Sequence, residues 1–250
     1  EPHLLQDQVF ILLAIARYAS SEKHLILSHL RLSLRSLMHE MGESKLDALL
    51  DFLGSQDTRA FIILHRGKMV LEEYWGEEAD GVDAFDQDSY WSWASASKTL
   101  TATLVGIAQS EGYLSITDPT SKHLGTGWTS LSADQEDDIL LSHQLTMTTG
   151  LDYSSVDNHC TDPECLLFRS PPGTDWNYHN APYTLLTEVV SSAAGVNYND
   201  FTEDKIGRHT GMSGRWISSG YNIVYWSTPR DMARFGLLMY SKGKWASNLS

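Results

Sequence analysis

Three residues along a helix is just under one turn, so a serine and a lysine at that spacing emerge on one face with Cβ atoms roughly 5 to 6 Å apart. Ser95 and Lys98 stand so in the run Tyr90-Trp-Ser-Trp-Ala-Ser95-Ala-Ser-Lys98-Thr-Leu100. A serine hydroxyl becomes a competent nucleophile when a neighbouring base takes its proton, and a lysine can be that base where desolvation or nearby cations favour its free amine. The flanking Trp91, Trp93, Leu100, Leu104 and Val105 supply an apolar surround. The same spacing recurs at Ser20 to Lys23 and at Ser241 to Lys244. Only Ser95 is approached by an aromatic, β-rich run and followed by the helical stripe Leu100, Leu104, Ile107 and Ala108. At the other two, a helix N-cap serine with an exposed lysine is the better account.

A second constellation, Trp176-Asn-Tyr178-His-Asn180, lies between Pro171-Pro-Gly173 and Pro182. A tyrosine near a lysine can share its proton relay and protonate a leaving group, while an asparagine amide both donates and accepts hydrogen bonds and so can fix lysine and substrate. A loop tyrosine capped by an asparagine accounts for the same residues equally well.

The elements that must position these groups follow from length and pattern. A chain of 250 residues, 42% hydrophobic, can bury a large core as one large domain or two lobes. Its net charge of −14 repels phosphate backbones and anionic surfaces, which excludes nucleic acid as a partner class. No run reaches the roughly 18 apolar residues of a membrane span. Val9 to Ala16 has the length of a signal core, but its leading segment carries Glu1 and Asp7 without Lys or Arg, and a helix is the preferred reading.

Residues 1 to 43 read as an N-terminal helical extension, with helices at Leu5 to Tyr18 and Leu25 to Met41, ahead of a domain spanning 44 to 250. A helix over Ser44 to Leu53 stops at Gly54. Ala60 to His65 and Met69 to Trp75, joined through Arg66-Gly67-Lys68, read as an antiparallel hairpin. The Ser95 helix runs to Gly112. Further helices are expected over Ala133 to Thr149, over Pro182 to Ala194 with Gly195 at its end, and from a Thr228 cap with Asp231 through to Gly243. Cys160 and Cys165 could close a disulfide, stay reduced, or bind metal with His159 or His179; their spacing is not that of a zinc pair, and the first two come ahead. A disulfide there would rigidify a loop leading toward Tyr178 rather than hold the fold together, and would favour an extracytoplasmic setting over the cytoplasm.

Taken in order, Ser95-x-Ser-Lys98, Leu145-Thr-Met-Thr-Thr-Gly150-Leu, Pro172-Gly173, Tyr178-x-Asn180 and Thr228-Pro-Arg-Asp231-Met-Ala-Arg-Phe-Gly236 resemble the serine β-lactamase-like family, which includes class C β-lactamases, D,D-peptidases and β-lactamase-fold esterases. The resemblance covers about residue 44 to the end. It implies an α+β fold, an antiparallel sheet flanked by helices plus a mostly helical lobe. It implies Ser95 as acylated nucleophile and oxyanion N–H donor, Lys98 as proton acceptor, Tyr178 as acid/base and Asn180 as the substrate-positioning amide, with neither cofactor nor metal. The substrate implied is a small ester or amide, with a lactam or a D,D-peptide as the enzymatic alternative and a non-catalytic binding protein as the alternative of another class.

The family's third motif, a Lys-Thr-Gly or His-x-Gly strand, should follow the Asp231 helix, and Lys242 to Ser250 does not supply it. His209-Thr-Gly211 stands where the family has a Gly-Met before its Pro-Arg-Asp helix, and is read as a decoy. The chain is therefore expected to be C-terminally incomplete. Asn248-Leu-Ser250 matches a glycosylation triplet by pattern only.

Overall fold

The computed structural model describes residues 43–65, 67–154 and 157–245. The helices expected over Leu5 to Tyr18 and Leu25 to Met41, and the Asn248 triplet, lie outside the described residues. The described chain forms two compact units, one of residues 43–91 with 227–245 and one of residues 92–226.

The first unit opens with α1 (Glu43–Gly54), followed by the hairpin of β1 (Ala60–His65) and β2 (Lys68–Tyr74). The strands pair antiparallel from Ala60 opposite Tyr74 to His65 opposite Lys68, with a bulge between Ile63 and Leu64. The apolar run Ala60 to Leu64 is buried on both faces, as an unbroken hydrophobic strand requires. The same unit contains the last helix, Pro229–Tyr240, whose Ala233 and Leu237 pack on Ile62 and Leu64. Thr228 caps it, its Oγ1 accepting from the Asp231 N–H at 3.2 Å. Arg230 reaches Glu72 of β2 with two parallel bonds of 2.7 and 2.8 Å. The Arg230 guanidinium holds the Glu72 carboxyl below the usual carboxylate range. The helix ends at Tyr240 rather than running to Gly243, because Lys242 already turns into the left-handed region, and the N–H groups of Lys242 and Gly243 return to the Met239 and Leu238 carbonyls.

The second unit begins within the short β3 (Trp91–Ser92), passes through a 3-10 turn (Ala94–Ala96) and enters α2 (Ser97–Ser110). There follow α3 (Ser121–Leu124), α4 (Ala133–Asp137), α5 (Leu141–Leu145), α6 (Asn180–Thr184), α7 (Leu186–Ala194), α8 (Tyr198–Thr202), a π turn (Glu203–Gly207), α9 (Arg208–Thr210), and the hairpin of β4 (Arg215–Ser219) and β5 (Asn222–Ser227). The Pro229–Tyr240 helix of the first unit is α10. β5 lies between β3 and β4 in a three-stranded sheet. The buried stripe Leu100, Leu104, Val105 and Ala108 packs α2 against α7, and Trp128, Ile139, Leu151, Leu166, Ala181 and Leu185 close the core below the loops.

Two expected helices are broken. The single helix over Ala133 to Thr149 is split into α4 and α5 because Leu140 is drawn into extended geometry, bridging Pro119, while buried Glu136 is held by the backbone N–H groups of Gly127 and Thr129 at 2.8 Å each. Tertiary partners there outweigh the helical pattern. The helix expected from Pro182 begins two residues earlier, at Asn180, and is interrupted at Leu185 before ending at Gly195 as expected.

Gly150 is where two loops meet. Its carbonyl accepts from the N–H groups of Arg169 and Ser170 at 3.0 and 3.1 Å, its φ is +74°, and a Cβ there would stand 2.0 Å from the Ser170 carbonyl oxygen. Gly195 shares the left-handed backbone, φ +68°, but a Cβ there would meet open space. Chemical denaturation should therefore find Gly195→Ala destabilised by about 1 kcal/mol, the left-handed cost alone, and Gly150→Ala by about 2–4 kcal/mol, through strain plus displaced backbone. Equal losses at the two positions would mean that the loop crossing at Gly150 is absent in solution.

Candidate active site

All four residues that the sequence singles out, Ser95, Lys98, Tyr178 and Asn180, lie in the second unit. Ser95 is exposed at the centre of the 3-10 turn, and the chain passes from it into α2 with right-handed helical dihedrals at Ala96 and Ser97. Ser95 and Lys98 therefore follow one another on a continuous helical path, about one turn apart. Ala94, immediately before Ser95, has φ +43°, a left-handed backbone that costs a non-glycine residue about 1–2 kcal/mol. Such strain persists only where the surroundings impose it. Here Trp93 on one side donates its N–H to the Tyr225 carbonyl at 2.9 Å, and buried Ser97 on the other accepts the Tyr225 N–H with its Oγ at 2.9 Å. The Trp93 and Tyr225 rings meet edge to face at 5.1 Å. The serine turn is thus clamped to β5 from both sides.

Lys98 is half-buried, and its Nζ donates to Asn180 Oδ1 at 2.8 Å. The amine stands 5.1 Å from the Tyr178 ring centroid and 5.7 Å from that of Tyr183. Tyr183 donates its hydroxyl to the Lys98 carbonyl at 2.9 Å; burial pushes its phenol up to about 12, so it serves as a neutral donor. Lys98, Tyr178 and Asn180 are brought together across some eighty residues of sequence. A lysine Nζ carries N–H donors and the Asn180 carbonyl oxygen is an acceptor, so the two are matched.

The segment bearing Tyr178 and Asn180 is placed by its approach. Gly173 donates its N–H to Thr148 at 2.7 Å and Asn177 its N–H to Met147 at 3.1 Å, so the Leu145–Leu151 and Pro171–Gly173 landmarks of the sequence are paired loops. Buried Gln144 donates to the Pro182 carbonyl at 2.8 Å and accepts from Thr120 Oγ1 at 3.0 Å, fixing the start of α6.

Sequence reasoning missed Asn158, Tyr183 and the role of His159. Asn158 Oδ1 accepts from Asn180 Nδ2 at 3.0 Å, and His159 Nε2 lies 3.4 Å from the same amide nitrogen. Nothing in their spacing signals this, since they sit in a loop with no period. Cys160 and Cys165, next along that loop, form a disulfide, so His159 turns to the amide rather than joining the cysteines on a metal. His209-Thr210-Gly211 lies at a helix end, with Gly211 in the left-handed cap position, and not on a strand.

Residues 54–247 match the sequence profile of the family described as Beta-lactamase. The chain is 29% identical over 165 residues to an uncharacterized protein of Alkalihalophilus pseudofirmus, covering 65% of this chain and 44% of that one. It is 24% identical over 166 residues to a beta-lactamase of Escherichia coli, covering 64% of this chain and 43% of that one. It thus spans less than half the length of these curated relatives. Its fold matches that of a beta-lactamase/D-alanine carboxypeptidase from Yersinia pestis with a TM-score of 0.55 at 23% identity, over 68% of this chain and 59% of that one.

His179, between the two site residues, is buried, and burial lowers its imidazole to about 4 despite the opposing charge of Asp152. The unfolded chain binds this proton near the ordinary histidine value, so the neutral ring contributes stability that is complete above about pH 6.5 and is lost as pH falls toward 4. Urea unfolding at pH 7 and at pH 4 should show a loss in the wild-type chain that exceeds the loss in His179→Gln by on the order of 3 kcal/mol. Equal losses would place His179 in contact with water.

Proposed function

This chain belongs to the beta-lactamase family, and on that premise we propose that it carries a serine-hydrolase site working through an acyl-enzyme on Ser95. The observation that carries this reading is the Lys98 amine, held 2.8 Å from Asn180 Oδ1 and against the Tyr178 ring, one helical turn beyond an exposed serine on a strained, clamped turn.

In this reading Lys98, as the free amine, takes the Ser95 hydroxyl proton while Oγ attacks the substrate carbonyl carbon. The resulting oxyanion meets the Ser95 N–H, one donor of the pair such chemistry uses. The Lys98–Tyr178 pair then returns a proton to the leaving group, and in the second half-reaction takes one from the water that attacks the acyl carbon. Asn180 keeps the lysine aimed and offers its amide to the substrate. Small esters or amides are the substrate class proposed first. A lactam or D-alanyl peptide is the alternative, favoured by the names of the relatives above. Leaving-group preference depends on cleft shape rather than on this set of residues.

A fluorescent phosphonate should label Ser95, and an unlabelled chain would point to a binding protein without chemistry. With a p-nitrophenyl ester of a short acid, Ser95→Ala and Lys98→Ala should each abolish turnover to a similar extent, and the double variant should lose no more than either one, because the two groups act as a unit. Wild-type turnover in Ser95→Ala would exclude it as the nucleophile.

A further inference from the structure

We propose, resting on the reading of the site just given, that Asn158 is a positioning residue: it sets the Asn180 amide so that its carbonyl oxygen faces Lys98, and the Cys160–Cys165 disulfide holds it there. Asn158 meets the 178–181 segment three times. Its carbonyl accepts from the Ala181 N–H at 3.0 Å, its Oδ1 accepts from Asn180 Nδ2 at 3.0 Å, and its Nδ2 donates to the Tyr178 carbonyl at 3.4 Å. One side chain therefore holds both the residue beside the lysine and the residue over it.

The chemistry of the amide gives this contact its consequence. Asn180 is buried, and its side chain has one end that accepts and one that donates. Lys98 donates to the accepting end. The donating end needs an acceptor of its own, which Asn158 Oδ1 supplies at good distance and His159 Nε2 at 3.4 Å. Without Asn158 Oδ1, a half-turn of the amide would set its N–H₂ against Nζ, where it would occupy the lone pair that the free amine needs to take the Ser95 proton, and Lys98 would lose its aim.

The loop is anchored outside the site. His159 donates its N–H to Asp157 Oδ1 at 2.9 Å and Cys160 its N–H to the Asp157 carbonyl at 3.2 Å, making a tight turn around Asn158. The disulfide joins that turn to Cys165, whose neighbour Leu166 is fully buried in the core and accepts from the Ser130 N–H at 3.1 Å. A five-residue separation closes too small a loop to stabilise the whole fold much, so its effect is local.

The test uses the 250-residue chain with Asn158→Ala, Asn180→Ala, their double variant, Asn158→Asp, and Cys160→Ser with Cys165→Ser. Two readouts are taken: the rate at which a fluorophosphonate labels Ser95, and hydrogen exchange of the Asn180 side-chain amide by NMR. Asn158→Ala should slow labelling about tenfold, and the double variant should be no slower than Asn180→Ala, because Asn158 acts through Asn180. Asn158→Asp, which keeps the acceptor, should recover most of the rate, and the cysteine variant should slow labelling in the direction of Asn158→Ala. Multiplied losses in the double variant, or wild-type labelling in Asn158→Ala, would overturn the positioning role; wild-type labelling in the cysteine variant would overturn the anchoring. If the wild-type chain is not labelled at all, the hydrolase reading fails and the amide decides alone. Protection of the Asn180 amide protons that is lost in Asn158→Ala supports the proposal, and unchanged protection overturns it.

Discussion

A lysine amine withdrawn from water beside aromatic rings must find an acceptor, because a half-buried amine without one is costly. In this chain the acceptor is Asn180 Oδ1, 2.8 Å away. That hydrogen bond joins the first turn of one helix to the first residue of another, and much of the second unit can be understood as what makes it possible. α2 has to bring Lys98 up on the face of the serine turn. α6 has to begin at Asn180, with Asn180 itself oriented by Asn158.

Buried polar groups do this orienting, each with at least one backbone partner. Ser97 receives the Tyr225 N–H, Gln144 spans Thr120 and the Pro182 carbonyl, and Glu136 gathers the Gly127 and Thr129 N–H groups. Loops carry most of the site, and loops expose backbone groups that need partners once buried. Side chains with fixed geometry supply those partners, which explains why the unit contains buried serine, glutamine and glutamate among its apolar core. In the first unit the logic is different. There a strand buried on both faces packs on α10, and the polar contribution is the bidentate Arg230–Glu72 pair, a geometry in which guanidinium and carboxylate match at two points.

Legibility in the sequence follows the range of the interactions. The hairpin, the Ser95 helix and the capped α10 could be read because the apolar period of a strand or helix and the chemistry of a cap are local properties. The break at Leu140 could not, since it arises where a distant partner outweighs a continuous helical pattern. The pairing of Lys98 with Asn180 was legible only as an ordered resemblance, and Asn158 was invisible: a loop asparagine carries no periodic or capping signal.

By itself, then, the sequence determined the residue types able to do chemistry, their one-turn spacing at Ser95 and Lys98, and the helices and strands whose hydrophobic period is self-evident. Tertiary structure alone decided which way the Asn180 amide faces, that Ala94 is forced into a left-handed backbone beside the serine, and that Cys160 bonds to Cys165 in a loop reaching the lysine's partner. The physical reason is that hydrogen bonds between side chains depend on distance and angle to within a few tenths of an ångström. Those quantities exist only once segments remote in sequence are packed together.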